Sequence, residues 1–274
     1  MKIDITGLLG ACSYALDCVE AELTHVTTYH GKRVAYMSVC IAKCFGVEKD
    51  ALQDLTACAL LHDYALTQYI HEEFHNEVTP EAVEGITVGQ LGSHCIYGEK
   101  NLEKYPFKTD MTGVILYHHE NADGSGPFAK KWMETPLFAR IIHLCDILDV
   151  FCQASEFDHR VWELAGAYLE KQRGKMFDEE CVDAFFKCFS ENDFMKLGEK
   201  NLEKHLWEMV SREKMELSFE QIQDLAGLFA KIIDYKSPFT SSHSLGVASC
   251  AAKVTEAMGY DEDTVQKMYL AGAL

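Results

Sequence analysis

Seven residues with metal-binding side chains are spaced over about half the chain: His30, His62, Asp63, His94, His118, His119 and Asp146. Five imidazoles and two carboxylates form a donor set that suits borderline transition metals such as iron, manganese, zinc or nickel. Two divalent ions, each taking several of these groups and sharing a bridging carboxylate, would stand roughly 3.5–4 Å apart, the usual arrangement for hydrolysing phosphate esters. His62 and Asp63 are neighbours, and in mid-helix they would point about 100° apart. One ion can then bind His62 while Asp63 turns to a bridging position. His118 and His119 form a second neighbouring pair, at the mouth of a loop.

These side chains need a scaffold that brings distant segments together. Proline is rare, with 5 in the chain, and strand-like alternation is hard to find. Apolar residues recur instead at three- and four-residue spacing. Val34, Met37, Ile41 and Phe45 mark one helical face, and Gly46 supplies a stop. Leu52, Leu55, Ala59 and Leu60 line the next helix, with Asp50 as a capping candidate. Further helices are predicted over about 7–22, 84–103, 109–118, 135–151, 159–172, 178–189 and 194–212, and residues 121–127 read as a turn-rich loop. The fold class expected is all-α, a multi-helix bundle with short antiparallel connections. A site drawn from five of its helices would be stiff enough to hold ions at fixed separation.

An internal repeat runs without gaps at one constant offset. His30 falls on His243, Thr27 on Thr240, Val34 on Val247, Ala35 on Ala248, Gly46 on Gly259, Asp50 on Asp263, Gln53 on Gln266 and Leu61 on Leu274. The chain stops where the partner of His62 would stand. Two parts are expected: a complete module over 1–215, and over 216–274 a linker helix with the first two helices of a second, truncated module. The boundary falls in the helix-rich stretch between about 190 and 236. Without such partners His243 reads as structural.

Composition limits the alternatives. With 274 residues and 48% hydrophobic content the chain can bury a substantial core. It contains no run of about 18 uncharged apolar residues, so no membrane span is expected. The start Met1-Lys2-Ile3-Asp4 lacks a signal-peptide layout. Eleven cysteines sit mostly at apolar helical positions, among them Cys40, Cys44, Cys58, Cys145 and Cys188, with no Cys-x-x-Cys pair. They read as free thiols in a reducing cytoplasm. The net charge of −18 argues against a DNA-binding face but not against a small phosphorylated ligand. His25, His71, His75, His143, His159 and His205 read as structural or exposed.

Leu61-His62-Asp63 resembles the hallmark of the HD superfamily of metal-dependent phosphohydrolases. His118-His119-Glu120-Asn121-Ala122-Asp123-Gly124-Ser125-Gly126 resembles the His-His-Glu-x-x-Asp-Gly-x-Gly element of its HD-GYP subfamily. His94 followed by Gly98 is similar to the intervening element, and Arg140-Ile141-Ile142 with Asp146 and Asp149 to the helix that brings the last carboxylate. The match spans about residues 27–155, in family order. The resemblance implies a metal ligand set of His30, His62, Asp63, His94, His118, His119 and Asp146, with Asp63 the bridge. It also implies hydrolysis of cyclic di-GMP or a related cyclic dinucleotide by water activated between two metals. Glu120 is a candidate acid–base group, with loop-holding as the other reading. Arg140 and Asp123 are candidate substrate contacts, or respectively a carboxylate partner and a loop former. Asp149 reads as supporting a ligand or capping.

The departures bear on activity. The family's Gly-Lys after the His-Asp pair is here Ala65-Leu66, which removes a cation whose loss could cost about 10²–10³ in rate. Gly-Tyr-Pro is replaced by Gly126-Pro127-Phe128. The glutamate of three-metal relatives is Val26, which favours two ions. The arginine element downstream is replaced by Gln153-Ala154-Ser155-Glu156-Phe157. A degenerate sensor or interaction domain, or another HD-type nucleotide phosphohydrolase, therefore stays open beside the phosphodiesterase. A dimer, and packing of the chain against the rest of a second HD module, are also expected.

Overall fold

The protein is described here by a computed structural model, covering residues 1–24, 29–66, 68–69, 88–153, 156–234 and 243–274. The all-α expectation holds. A short strand β1 (Lys2–Ile3) precedes α1 (Ile5–Thr24), α2 (His30–Cys44), α3 (Lys49–Leu60) and α4 (Val88–Leu102). Then come α5 (Leu137–Cys152), α6 (His159–Gln172), α7 (Glu179–Cys188), α8 (Glu191–Met195) and α9 (Leu202–Met209). Strand β2 (Met215–Glu216), α10 (Phe219–Asp234), α11 (His243–Ala257) and α12 (Glu262–Ala273) complete the described chain. The pair β1–β2 is antiparallel, with Lys2 opposite Glu216. Among the described residues no helix is long and apolar enough to cross a membrane.

Helix α2 is the axis of the bundle. It packs against α1, α3, α5, α7 and α9, so nearly every side is buried, from His30 to Ala42. Such a position suits an all-round apolar helix, yet α2 carries Lys32 and Arg33. Each has an acidic partner: Lys32 Nζ donates to Glu203 Oε2 at 2.8 Å, and Arg33 donates to both oxygens of Asp149 at 2.6 and 2.8 Å. Pairing is what makes a buried charge tolerable. The helix ends at Cys44, where the amides of Phe45, Gly46 and Val47 turn back onto the carbonyls of Ala42 and Lys43. Gly46 takes the left-handed conformation at φ 75°, the C-terminal stop read from the sequence.

Several local expectations are corrected. Residues 109–118 form turns rather than a helix. Gly113 sits at φ 78°, and the amides of Gly113 and Leu116 are captured by the Glu99 carboxylate at 2.5 and 3.0 Å instead of a helical ladder. The stretch 194–212 is broken into the end of α8, a 3₁₀ turn (Lys196–Gly198) and α9. Asp50 lies in the first turn of α3, whose N-cap is Glu48; its carboxylate pairs with Lys108 at 2.7 Å. Cys44 and Cys188 are joined in a disulfide between the ends of α2 and α7, with Cα atoms 6.6 Å apart. The free-thiol reading thus fails for this pair, while Cys40, Cys58 and Cys145 are free. Residues 84–87 of the expected helix 84–103, together with Val26, Thr27, Thr240, His25, His71 and His75, lie outside the described residues.

The core does not break at residue 215. Ile222, Leu225 and Phe229 of α10, Ala248 of α11 and Leu270 of α12 belong to the same buried cluster as Val34 and Leu144. The amino group of Met1 reaches the carbonyl of Leu217 at 3.2 Å. The repeat is visible in the backbone: α11 begins at His243 as α2 begins at His30, and α12 spans the residues that correspond one for one to α3. Gly259 repeats the left-handed conformation of Gly46, at φ 80°.

Candidate metal centre

The seven residues expected as ligands converge, but on fewer helices than expected. His30 is the first residue of α2, His94 lies in α4 and Asp146 in α5. His62 and Asp63 occupy the turn just past the end of α3, and His118 and His119 the turns before the 121–127 loop. Turns impose no fixed angle between neighbouring side chains, so both His-Asp and His-His pairs can face one centre.

Asp63 stands between two groups of rings. Its Oδ1 lies 3.1 Å from His94 Nε2, 3.3 Å from His118 Nε2 and 3.8 Å from His119 Nε2. Its Oδ2 lies 3.7 Å from His62 Nε2. Asp146 Oδ1 is 3.3 Å from His30 Nε2 and 3.7 Å from His62 Nε2, and its Oδ2 is 3.7 Å from His119 Nδ1. The donors therefore divide into His30, His62, Asp63 and Asp146 on one side and His94, Cys95, His118 and His119 on the other, with Asp63 reaching both.

The outer ring nitrogens show which atoms face inward. His62 Nδ1 donates to the carbonyl of Ala59 at 2.9 Å, and His118 Nδ1 to that of Ile115 at 2.6 Å. His30 Nδ1 donates to Asp149 Oδ2 at 2.7 Å, and Asp149 is fixed in turn by Arg33. A neutral imidazole that donates through Nδ1 presents a bare lone pair at Nε2, the pattern of metal-ligating histidines held by outer partners. His62 Nε2 is buried with no hydrogen-bond partner among the described residues. His94 Nε2 and His118 Nε2 face each other at 3.4 Å beside the Asp63 oxygen. An orphaned acceptor and converging lone pairs call for positive charge between them, and the N/O donor set fits a divalent transition metal.

The ionisation of the groups carries the same message. Burial disfavours charge on His30, but its hydrogen bonds to Asp146 and Asp149 outweigh that and hold it well above the ordinary imidazole range. Burial likewise opposes charge on Asp63, yet His62, His118 and His94 keep it well below the usual carboxylate range. His119 is pushed well down, first by burial and then by the charges of His118 and His94. Protons and carboxylates here compensate one another in a largely buried cluster, the role that bound cations take over in a metal site. Most of the seven are buried; the open edge among the described residues is at Asp63 and His119, whose side chains are 17% and 11% exposed.

The other candidates sit apart from this cluster. Both Glu120 oxygens accept loop amides, from Phe128 at 2.6 Å and Lys130 at 2.5 Å, which is loop-holding geometry rather than that of an acid–base group. Gly126 must be glycine there, because an added Cβ would lie 2.7 Å from the Glu120 backbone. Asp123 and Arg140, the candidate substrate contacts, both have partners within the chain. Asp123 accepts the Ser125 amide at 2.9 Å in the exposed loop. Arg140 pairs with Asp178 and lies over the Trp132 ring. Leu66, at the position of the family lysine, is buried.

Three contributors carried little sequence signal. Glu99 holds the turn that presents His118, and nothing in a lone helical acid announces that. His143, read as structural or exposed, is buried behind the pair: its Nδ1 donates to the His118 carbonyl at 3.0 Å, and burial lowers its pKa to about 4. Its place one turn before Asp146 put it on the site-facing side of α5. Cys95 adjoins His94 and is buried. Burial raises its thiol, but His118 and His94 overcome this and bring it down to about 6.

Comparisons with known proteins agree with this geometry. Residues 17–181 match the family model described as HD domain. The chain is 24% identical over 256 residues to the 3'3'-cGAMP-specific phosphodiesterase 1 of Vibrio cholerae, covering 89% of this chain and 57% of that protein. It is 40% identical over 161 residues to the cyclic di-GMP phosphodiesterase response regulator RpfG of Xanthomonas campestris pv. campestris, covering 57% of this chain and 42% of the relative. The chain thus spans about half the length of these relatives. A crystal structure of the cyclic GMP-AMP-specific phosphodiesterase V-cGAP3 of V. cholerae superposes with a TM-score of 0.73 at 19% identity, over 98% of this chain and 69% of that one. That likeness is one of fold.

Proposed function

The chain belongs to the HD-domain family, and from that premise we propose that it is a metal-dependent phosphodiesterase that opens a cyclic dinucleotide to a linear product. The observation that carries the reading is Asp63, whose Oδ1 faces His94, His118 and His119 while its Oδ2 faces His62. His30, His62 and Asp146 would hold one divalent ion, His94, His118 and His119 the other, and Asp63 would bridge them. Iron, manganese, zinc and nickel all suit these donors. When bound, such a pair supplies Lewis acidity, lowering the pKa of water towards neutrality and offsetting charge on phosphoryl oxygens.

The remaining work belongs to the chain. Asp149 and Arg33 fix the His30 ring, so its Nε2 stays turned into the site beside Asp146. Glu99 and Glu120 brace the two sides of the His118-His119 turn. Pro127 and Phe128 pack over Gly92 of α4, where a Cβ would meet them at 3.1 and 3.2 Å, so the loop lies against the helix that carries His94. The open edge at Asp63 and His119 is the approach for a phosphodiester. In the reaction water adds to phosphorus and one P–O ester bond breaks, leaving a phosphate monoester and a freed sugar hydroxyl. Leu66 offers no proton or charge to that leaving oxygen.

Turnover of cyclic di-GMP and 3'3'-cyclic GMP-AMP with added manganese or iron, followed by chromatography of the linear product, tests the proposal. No product under conditions where RpfG is active overturns it. The buried Leu66 favours a second reading, a sensor that binds nucleotide without hydrolysis; calorimetry with the same ligands would then show binding and no product. Release of a different product from other nucleotides would instead indicate another phosphohydrolase. We also infer that residues 216–274 open a second HD module, on the strength of the matched helix bounds and the left-handed glycine. Sedimentation of a chain extended beyond Leu274 checks that division and the expected dimer.

A further inference from the structure

We propose that the Cys95 thiolate is a protein ligand in the half of the centre formed by His94, His118 and Asp63 Oδ1, which makes that half a mixed imidazole, carboxylate and thiolate position. The inference rests on the metal-centre reading above and adds to it a donor of different chemistry. Cys95 follows His94 on α4, and helix geometry alone would turn the two side chains about 100° apart. Cys95 Sγ nevertheless lies 3.6 Å from the inward-facing Nε2 of His94; its other imidazole contact, 3.8 Å, is to Nδ1 on the outer side of the His118 ring. Donor atoms of Cys95, His94, His118 and His119 all fall within 4.8 Å of one another.

The spacing fits a coordination polyhedron. With zinc-to-nitrogen or zinc-to-oxygen bonds of about 2.0–2.1 Å, a tetrahedral angle separates two such donors by about 3.3 Å. With a zinc-to-sulfur bond of about 2.3 Å the sulfur-to-nitrogen edge becomes about 3.6 Å. The observed edges are 3.1 Å between His94 Nε2 and Asp63 Oδ1, 3.3 Å between His118 Nε2 and Asp63 Oδ1, 3.4 Å between the two Nε2 atoms and 3.6 Å from Sγ to His94 Nε2. Cys95 and His118 are fully buried and His94 is 1% exposed, so the sulfur stands in the cluster rather than at a reactive surface. The other half, His30, His62 and Asp146, has only nitrogen and oxygen donors. The two positions therefore differ in softness. Thiolate steers the His94 side towards zinc or iron(II) and away from manganese, while the His30 side tolerates manganese.

The test uses the full chain, stripped with a chelator and reloaded with cobalt(II) alone or zinc alone. The cobalt form is expected to show a near-ultraviolet thiolate-to-cobalt charge-transfer band. X-ray absorption at the zinc edge is expected to require a sulfur neighbour at about 2.3 Å. In Cys95→Ala both signals vanish, and the tightness of zinc binding at that half falls by at least about 10–100-fold, the loss already typical of disturbing an outer partner. Cys12→Ala, which alters a free cysteine on α1, keeps both signals. Cobalt bound in full without the band, or a band that survives Cys95→Ala, overturns this assignment and leaves the metal centre standing. No metal uptake at all overturns both. If the alanine variant fails to fold, the near-isosteric Cys95→Ser supplies the comparison, and a wild-type spectrum without the band overturns the assignment by itself.

Discussion

The hairpins α2–α3 and α11–α12 have the same helix lengths, the same left-handed glycine and the same opening histidine, yet only one is built into a cluster of ligands. His30 is buried against Asp146 and Asp149, whereas His243 is exposed. Val34 is fully buried and its counterpart Val247 is 41% exposed, while Ala35 and Ala248 are both fully buried. Among the described residues the second copy keeps its Ala248 position buried, while the face that carries Val247 is exposed where other elements cover Val34 in the first copy. A histidine at the start of such a helix acquires chemistry from what is packed around it, here α5 with its two aspartates.

The largest effect is expected at Asp63, whose carboxylate reaches both groups of ligands. Asp63→Ala should remove both metals and lower turnover by at least about 10³-fold, read by elemental analysis and product assay; an ion pair retained in this variant would refute the bridge. Next comes the matched pair His30→Ala and His243→Ala. The first should lose one ion per chain and about 10²-fold in rate, and the second should change neither, so equal losses would end the distinction between the hairpins. Asp149→Asn leaves the ligands in place but weakens the hold on the His30 ring. Metal affinity should fall about 10–100-fold, measured by chelator competition, and an unchanged affinity would remove Asp149 and Arg33 from the account. The smallest effects concern packing. Val34→Ala should cost about 1–3 kcal/mol in urea unfolding, against less than about 0.5 kcal/mol for Val247→Ala.

Much of this was legible in the sequence, and the failures have physical reasons. The helices around His30, Asp146 and residues 159–172 follow from apolar spacing because a buried helical face must repeat every three to four residues. The segment 109–118 has that spacing but became turns, because Gly113 takes the left-handed conformation and the Glu99 carboxylate accepts the amides of Gly113 and Leu116. The ligand set was visible as types in order, since metal chemistry restricts the residue types. What held the ligands was not: Arg33 and Glu99 act across more than one element, and Cys95 looked like any buried thiol. Glu120 and Arg140 were candidates through the motifs that contain them; both Glu120 oxygens hold loop amides, and Arg140 pairs with Asp178.

Anomalous diffraction from crystals of the metal-loaded chain should give two peaks roughly 3.5–4 Å apart, one on each side of the Asp63 carboxylate, the first against His30, His62 and Asp146 and the second against His94 and His118. A single peak on one side of Asp63, or none within bonding reach of its oxygens, would contradict the bridged pair of ions.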